Sequence, residues 1–419
     1  MDSGSREQRK QEGIFSLILR TLTGEEAETG RCAVNIAELL TYTDIDHLNR
    51  IREAYGFEGS IHSKNELIRT LLNHLGRRKE LSEQIRGCDG IQTRFLQLLF
   101  FDSRDVYSME ELLGKARAAW GDKEGDPRSL IRWLLKRGWL FPGVTLNTRH
   151  LYQVPRDLKE RINRLFAEKH QEVIDNEPVA YRDETGMLVQ DLHRFLTFVM
   201  HNEVPLTADG AIYRQYQRKL FKSFIVPEKP IERKEWRFGF GRRYHLYPDR
   251  FSLIYDYAYY QGYIAEEESG RIRLTDKGAG KVLYKELEPG QEIYRFWLRL
   301  YRRPVPHLPV VVRWVDLLAE GRWTSVEAIQ RAVAGWIQSY YYETEDTLLR
   351  RILKMMTHLG VLRMGEGADG KELVSVTEEG HVFINGISGF TEEGLDDRFS
   401  NPSFGKSVAS GGNLTGRVE

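Results

Sequence analysis

Residues 259–284 read YYQGYIAEEESGRIRLTDKGAGKVLY, and residues 359–384 read LGVLRMGEGADGKELVSVTEEGHVFI. Both stretches have the same grammar. An apolar helix (FSLIYDYAYYQ in one, DTLLRRILKMMTHL in the other) stops at a glycine, Gly262 or Gly360. Glycine at that place supplies the left-handed residue that closes a helix. A short strand follows, then a turn (EEESG or GEGADG), then a second strand (RIRLT or ELVSVT). Turns of this composition close hairpins. Thr275 with Gly278, and Thr377 with Gly380, mark the exit from the second strand. The chain therefore writes one helix-plus-hairpin unit twice, far apart and with unequal turns, which predicts a string of similar domains and not a solenoid.

Working outward, residues 91–158 contain a looser third copy. IQTRFLQLLFF reads as an apolar helix. SMEELLGKARAAW reads as a second, with Ser108 as N-cap and Glu111 completing a capping box. DPRSLIRWLLKRGWL reads as a third, stopped at Gly138, and FPGVTLNTRHLYQVP as two short strands around a turn. Three helices and a hairpin follow the winged-helix order. Upstream, residues 34–80 predict a helical hairpin. Leu48, Ile51 and Tyr55 fall at helical spacing, and Gly56 and Gly59 break that helix. Ser63 precedes KNELIRTLLNHL as an N-cap with Glu66 three residues on, and Leu67, Ile68, Leu71 and Leu72 form the apolar stripe. Asp44-x-Asp46 reads as a helix cap in preference to a metal site. Residues 1–12 and those from about 391 onward are polar and core-poor, which predicts disordered tails.

The chain has 419 residues, enough for two to four domains. Hydrophobic residues make up 41% and charged residues 29%, a globular composition. Lys plus Arg and Asp plus Glu balance at 61 each, so attraction to a polyanion has to be argued locally. Two cysteines, Cys32 and Cys88, without a CxxC, predict a reducing, cytoplasmic setting, nucleoid-associated in a bacterium. The polar MDSGSREQRKQEG start carries no signal-peptide pattern, and no run approaches the roughly 20 apolar residues of a membrane span.

Catalytic signatures are wanting. GEGADGKE (365–372) fits the G-x-x-x-x-G-K skeleton of a phosphate loop, but Glu372 stands where a hydroxyl would hold magnesium. The loop also joins two strands instead of opening a helix, so it reads as a hairpin turn. GFG (239–241) is a glycine pair without its third member. There is no HExxH, GxSxG or cysteine pair at metal spacing, and His193, His201 and His245 are isolated. No cofactor is expected. A nuclease with dispersed acids is the residual enzymatic reading.

Positive charge concentrates in 211–250, which holds eleven Lys/Arg against four acids, a balance of 11 − 4 = +7. Within it, YRQYQRKLFKSF (213–224) carries Arg214, Arg218, Lys219 and Lys222 and no acid. Arg214, Arg218 and Lys222 recur every four residues, one stripe of a helix. Arg242 and Arg243 add an arginine pair in a glycine-containing loop. Such groups hold phosphates with salt-dependent affinity. Arg128, Arg132 and Lys136 lie on the last helix before the first hairpin, and Arg350, Arg351 and Lys354 occupy the corresponding helix of the last copy. In DNA-reading winged helices that element enters the major groove. The middle copy differs: FSLIYDYAYYQ is apolar, which predicts a buried helix and a packing module.

HRFLTFVMHNEVPLTADGAIYRQYQRKLFKSF, followed after an insertion by the 251–283 unit, resembles the helicase-associated region at the N-terminus of XPB-type DNA helicases. The pattern is carried by Val204-Pro205-Leu206-Thr207, Asp209-Gly210, Arg214–Lys222, Gly262 and Leu274-Thr275 with Gly278. GRWTSVEAI (321–329) and the 346–384 unit continue it, so that it covers roughly residues 190–390. Separately, 48–75 resembles a SAP-type DNA-binding hairpin through Gly56, Lys64, Glu66, Leu67 and Leu72. On that resemblance Lys64 and Arg69 join the candidate DNA contacts. The helicase motor is missing, so the resemblance implies an accessory or adaptor and not an ATPase.

The resulting expectation is a mainly α chain with small β-wings (α+β), built of tandem winged-helix domains plus a helical hairpin. Its parts are an N-terminal tail and helix (1–33), the SAP-like hairpin (34–90), a winged helix (91–158), a linker helix (159–188), two helicase-associated winged-helix domains (189–287 and 288–390) and a tail (391–419). The expected function is non-catalytic DNA binding with low sequence specificity, beside a helicase supplied by another chain and away from any membrane. The alternative is a protein-interaction scaffold of winged helices.

Overall fold

The computed structural model describes residues 34–395 except 58–62, 122, 145–147, 173, 175–176, 233–238, 341–342, 388 and 392–394. The expected N-terminal tail and helix, Gly59 and most of the expected C-terminal tail lie outside these residues. The described chain is mainly helical, with three small antiparallel sheets. Its described residues divide into two compact units, those up to 100 with 104–165, and 101–103 with those from 166 onward. Among the described residues no helix is long and apolar enough to cross a membrane.

The first unit opens with four helices, α1 (Ile36–Tyr42), α2 (Ile45–Tyr55), α3 (Lys64–Leu75) and α4 (Arg78–Arg86). Asp44 caps α2 by accepting the His47 N–H, and Gly56 ends it at φ 65°. Ser63 caps α3 by accepting the Glu66 N–H at 3.4 Å, which is the serine half of the expected capping box. Leu67, Leu71 and Leu75 form the buried face of α3. Next come α5 (Gly90–Phe100), β1 (Val106–Ser108), α6 (Met109–Trp120), α7 (Pro127–Lys136), β2 (Phe141–Pro142) and β3 (Leu151–Gln153). Ser108 and Glu111 make both halves of the capping box that starts α6. The sheet order is β1–β3–β2. The hairpin of α2 and α3 seats on the end of α7. The Tyr55 hydroxyl donates to the Arg137 carbonyl at 3.0 Å, and His47 Nε2 lies 3.1 Å from the Leu135 carbonyl. Helix α8 (Arg156–Glu168) carries the chain across the division between units.

The second unit contains the same order twice. First come α9 (Met187–His201), β5 (Val204–Pro205), α10 (Arg214–Ser223), α11 (Asp249–Tyr260), β6 (Ile264–Glu267) and β7 (Arg271–Leu274), then α12 (Asp276–Leu283) and α13 (Gly290–Tyr301). Then come α14 (Leu308–Ala319), β8 (Thr324–Ser325), α15 (Val326–Ala332), α16 (Glu345–His358), β9 (Leu362–Glu366), β10 (Glu372–Val376) and α17 (Glu378–Gly386). The middle sheet runs β5–β7–β6. The last runs β4–β9–β10–β8, its extra edge being β4 (Tyr181–Arg182) from upstream of α9. GEGADGKE joins antiparallel β9 and β10 as a hairpin turn, as its neighbours in sequence predict.

The repeated threonine and glycine build one junction in two places. The Thr275 hydroxyl donates to the Gly262 carbonyl at 2.5 Å and accepts the Gly278 N–H at 3.1 Å. The Thr377 hydroxyl donates to the Gly360 carbonyl at 2.7 Å and accepts the Gly380 N–H at 2.9 Å. One side chain thus ties the helix stop before the hairpin to the helix start after it, serving as N-cap. The second glycine is there for space. A Cβ on Gly278 would stand 2.0 Å from the Tyr263 carbonyl oxygen, and one on Gly380 2.4 Å from that of Val361.

Candidate nucleic-acid interface

Helix α10 starts after a tight turn built from Leu206 to Ile212. Thr207 N–H donates to the Ala211 carbonyl at 2.7 Å, and Gly210 sits at φ 76°. Leu220, Phe221 and Phe224 are buried, with Phe221 at 4.9 Å and Phe224 at 5.9 Å from the Phe251 ring. That anchoring turns the opposite face outward, and Arg214, Arg218, Lys219 and Lys222 are all exposed on it. Arg218, Lys219 and Lys222 have no carboxylate partner among the described residues. Lys219 lies 5.9 Å from the Tyr216 ring centroid, and Arg214 donates to the carbonyls of Ile231 and Glu232 at 3.0 Å each. These carbonyls orient the guanidinium without cancelling its charge. Arg194 of α9, which the sequence reading passed over, is exposed and donates to the Ser223 carbonyl at the C-terminal end of α10. Its nearest carboxylate oxygen, on Asp191, is 4.0 Å away.

The arginine pair after the insertion is used differently. Arg242 and Arg243 are half-buried and both face Glu266, at 3.4 and 3.0 Å. Arg242 also lies over the Tyr259 ring at 3.6 Å, and Arg243 donates to the Asp209 carbonyl at 2.9 Å. Beneath them Asp256 is fully buried and accepts the Arg242 N–H at 3.2 Å. Burial pushes the Asp256 pKa up to about 8, against the pull of the Arg242 guanidinium. This loop is held down on three sides.

In the last repeat the cations of α16 face acids. Lys354 pairs with Asp249 at 2.7 Å, Arg351 with Glu343 at 2.9 Å, and Arg350 with Asp346 at 3.3 Å and also with Glu372. In the first unit Arg128, Arg132 and Lys136 are exposed along α7, with Arg132 reaching Asp126 at 2.6 Å. Arg137 is half-buried against the Trp133 ring at 5.0 Å. On α3, Arg69 is exposed and Lys64 half-buried, and neither has an acidic partner among the described residues.

Helix α11 is interior. Every residue from Arg250 to Ala258 is buried, and α9, α13 and α16 pack around it. Arg250, counted in the basic window, has no exposed surface. It binds Glu184 at 3.1 Å and Asp191 at 2.7 Å. His358, at the end of α16, is 3.1 Å from the same Glu184 carboxylate. Burial raises the pKa of Glu184, but the hydrogen bond to His358 and the charges of His358, Arg182 and Arg250 outweigh it and hold the carboxyl below its usual range. Asp191 in turn accepts the Ile225 N–H at 2.7 Å and that of Val226 at 3.3 Å, fixing the chain as it leaves α10. Among the described residues no group of three His, Cys, Asp or Glu side chains converges as a metal site.

No known family model matches the chain, and no curated protein matches it significantly.

Proposed function

We propose that this chain is a non-catalytic DNA-binding accessory protein built from three winged-helix modules and a SAP-like hairpin. The winged-helix reading is supported by the order helix–strand–helix–helix–strand–strand in α5–β3, α9–β7 and α14–β10. In each sheet the first strand pairs with the third and the third with the second, counting β8, β10 and β9 in the last. The binding reading is carried by one observation: a row of exposed cations on α10, of which Arg218, Lys219 and Lys222 have no acidic partner among the described residues. Such rows attract the phosphate backbone and release counterions on contact. Phosphate contacts position a protein without reading sequence, so the expected specificity is low. The adaptor role beside a helicase on another chain rests on the sequence resemblance. A salt titration tests the reading. With six or more phosphate contacts, affinity for a mixed-sequence duplex falls by about 10³-fold or more between about 50 and 200 mM salt. No binding at the low end of that range overturns it.

A protein-interaction scaffold is the second reading, favoured by a specific surface. Leu283, Tyr284 and Leu287, just after the middle hairpin, are 69%, 83% and 50% exposed. Under this reading the duplex titration is flat and the chain retains a protein partner at high salt.

A further inference from the structure

The two repeats of the second unit pack with their third helices together. Helix α11 contacts α16, Lys354 reaches from α16 to Asp249 at the start of α11, and Arg250 and His358 grip the same buried Glu184. A helix so enclosed has no face to lay in a groove. The outward side of α16 does carry cations, but each is held by a carboxylate, so a phosphate would have to displace an existing ion pair. Helix α10 is the contrast. Its cations face solvent, no acid lies between Tyr213 and Phe224, and Arg194 adds positive charge at its far end. At about 1.5 Å rise per residue, Arg214, Arg218 and Lys222 are spaced by about 6 Å, comparable with the separation of successive phosphates along one strand.

We infer that in the second unit the phosphate backbone of a nucleic acid runs along α10, held by Arg214, Arg218, Lys219 and Lys222, and that the second helix of the middle repeat takes the place usually given to the third. This assignment rests on the nucleic-acid-binding function proposed above and goes further by locating the contact and excluding α11 and α16. It makes the contact electrostatic and sequence-independent.

The experiment uses the full chain, a fluorescent mixed-sequence DNA duplex and salt from about 50 to 200 mM. One variant is R218E/K219E/K222E, at three positions without acidic partners among the described residues, whose folding is checked by its melting curve. The others are R350Q/K354Q on α16 and R128E/R132E/K136E on α7. The expected result is at least about tenfold weaker binding for the α10 variant, with a log–log salt slope shallower by about two to three. R350Q/K354Q stays within about twofold of wild type, since its cations are not offered to phosphate. An α10 variant that binds like wild type overturns the assignment. If the α7 variant then loses binding, the proposed function stands and the contact lies in the first unit. A wild-type chain that ignores the duplex but binds poly-glutamate through α10 overturns both, and identifies the occupant as an acidic protein segment.

Discussion

Helices α7 and α11 hold the same position in two repeats, third helix before a two-stranded hairpin, yet they meet opposite environments. Helix α7 shows Arg128, Arg132 and Lys136 to solvent, while α11 exposes nothing between Arg250 and Ala258. The same topology therefore serves once as a surface and once as a core. What decides is the character of the helix face opposite the repeat's own core. In α7 that face is charged. In α11 it is aromatic: Tyr257 packs edge-to-face on Phe296 of α13 at 5.4 Å, and Tyr260 lies 5.1 Å from the same ring. Position in a repeat is a weak guide to function, and environment is the stronger one.

The sharpest way to break that contrast is to remove one arginine from each helix. Arg250→Ala leaves Glu184 and Asp191 buried without their shared cation. Removing one partner of a buried ion pair costs about 3–5 kcal/mol, so chemical denaturation should show a large fall in midpoint or loss of the folded second unit. Arg128→Ala removes an exposed charge and should change stability by less than about 0.5 kcal/mol. Similar values for the two would mean that α11 is not an interior helix.

The next effect tests whether the two threonine–glycine junctions are the same device. Gly278→Ala and Gly380→Ala each force a methyl against a carbonyl oxygen, at 2.0 and 2.4 Å. Overpacking of this kind costs about 1–3 kcal/mol. Both should lower the thermal midpoint, Gly278→Ala the more.

Much of this junction is legible in the sequence. Gly262, Gly360 and Gly138 adopt the left-handed conformation their places predict, with φ of 68°, 73° and 63°. Ser108, Asp44 and Ser63 cap the expected helices. These signals are local, written within four residues of the structure they cause. The fate of the basic window is not local. Arg218 and Lys222 stay on the surface, while Arg243 turns to Glu266, 23 residues away, and Arg250 to Glu184, 66 residues away. No spacing rule links an arginine to an acid at such a separation, so a count of charges treats all of them alike. Strand β4 is hidden for the same reason. It is two residues long, and its partner β9 lies beyond the whole middle repeat.

A subtler test uses the buried acid under the Arg242–Arg243 loop. The Asp256 pKa stands at about 8 in the fold, against 3.8 for the free side chain. Between those values the unfolded chain has released a proton that the folded chain keeps, so this group's contribution to stability falls as pH rises and levels off above about 8. Asparagine can still accept the Arg242 N–H and has no proton to lose. The melting temperature of Asp256→Asn should therefore fall less than that of wild type between about pH 6 and 8. An identical pH dependence in the two proteins would mean that Asp256 is ionised in the fold. The Arg242–Arg243 pair would then neutralise Asp256 as well as Glu266.

The smallest expected effect returns to the first unit, where a repeat element faces solvent. Gly114 lies inside α6, is exposed, and a Cβ there would meet nothing within 4 Å. It is not a junction glycine like Gly278, since the helix runs through it to Trp120. Glycine in a helix interior costs roughly 0.5–1 kcal/mol relative to alanine, because the unfolded chain loses more freedom there. Gly114→Ala should therefore stabilise the first unit by about that much, the opposite sign to Gly278→Ala. A loss of stability at Gly114 would show that the exposed side of α6 is covered in solution, and the first unit would then offer less free surface than its α7 row suggests.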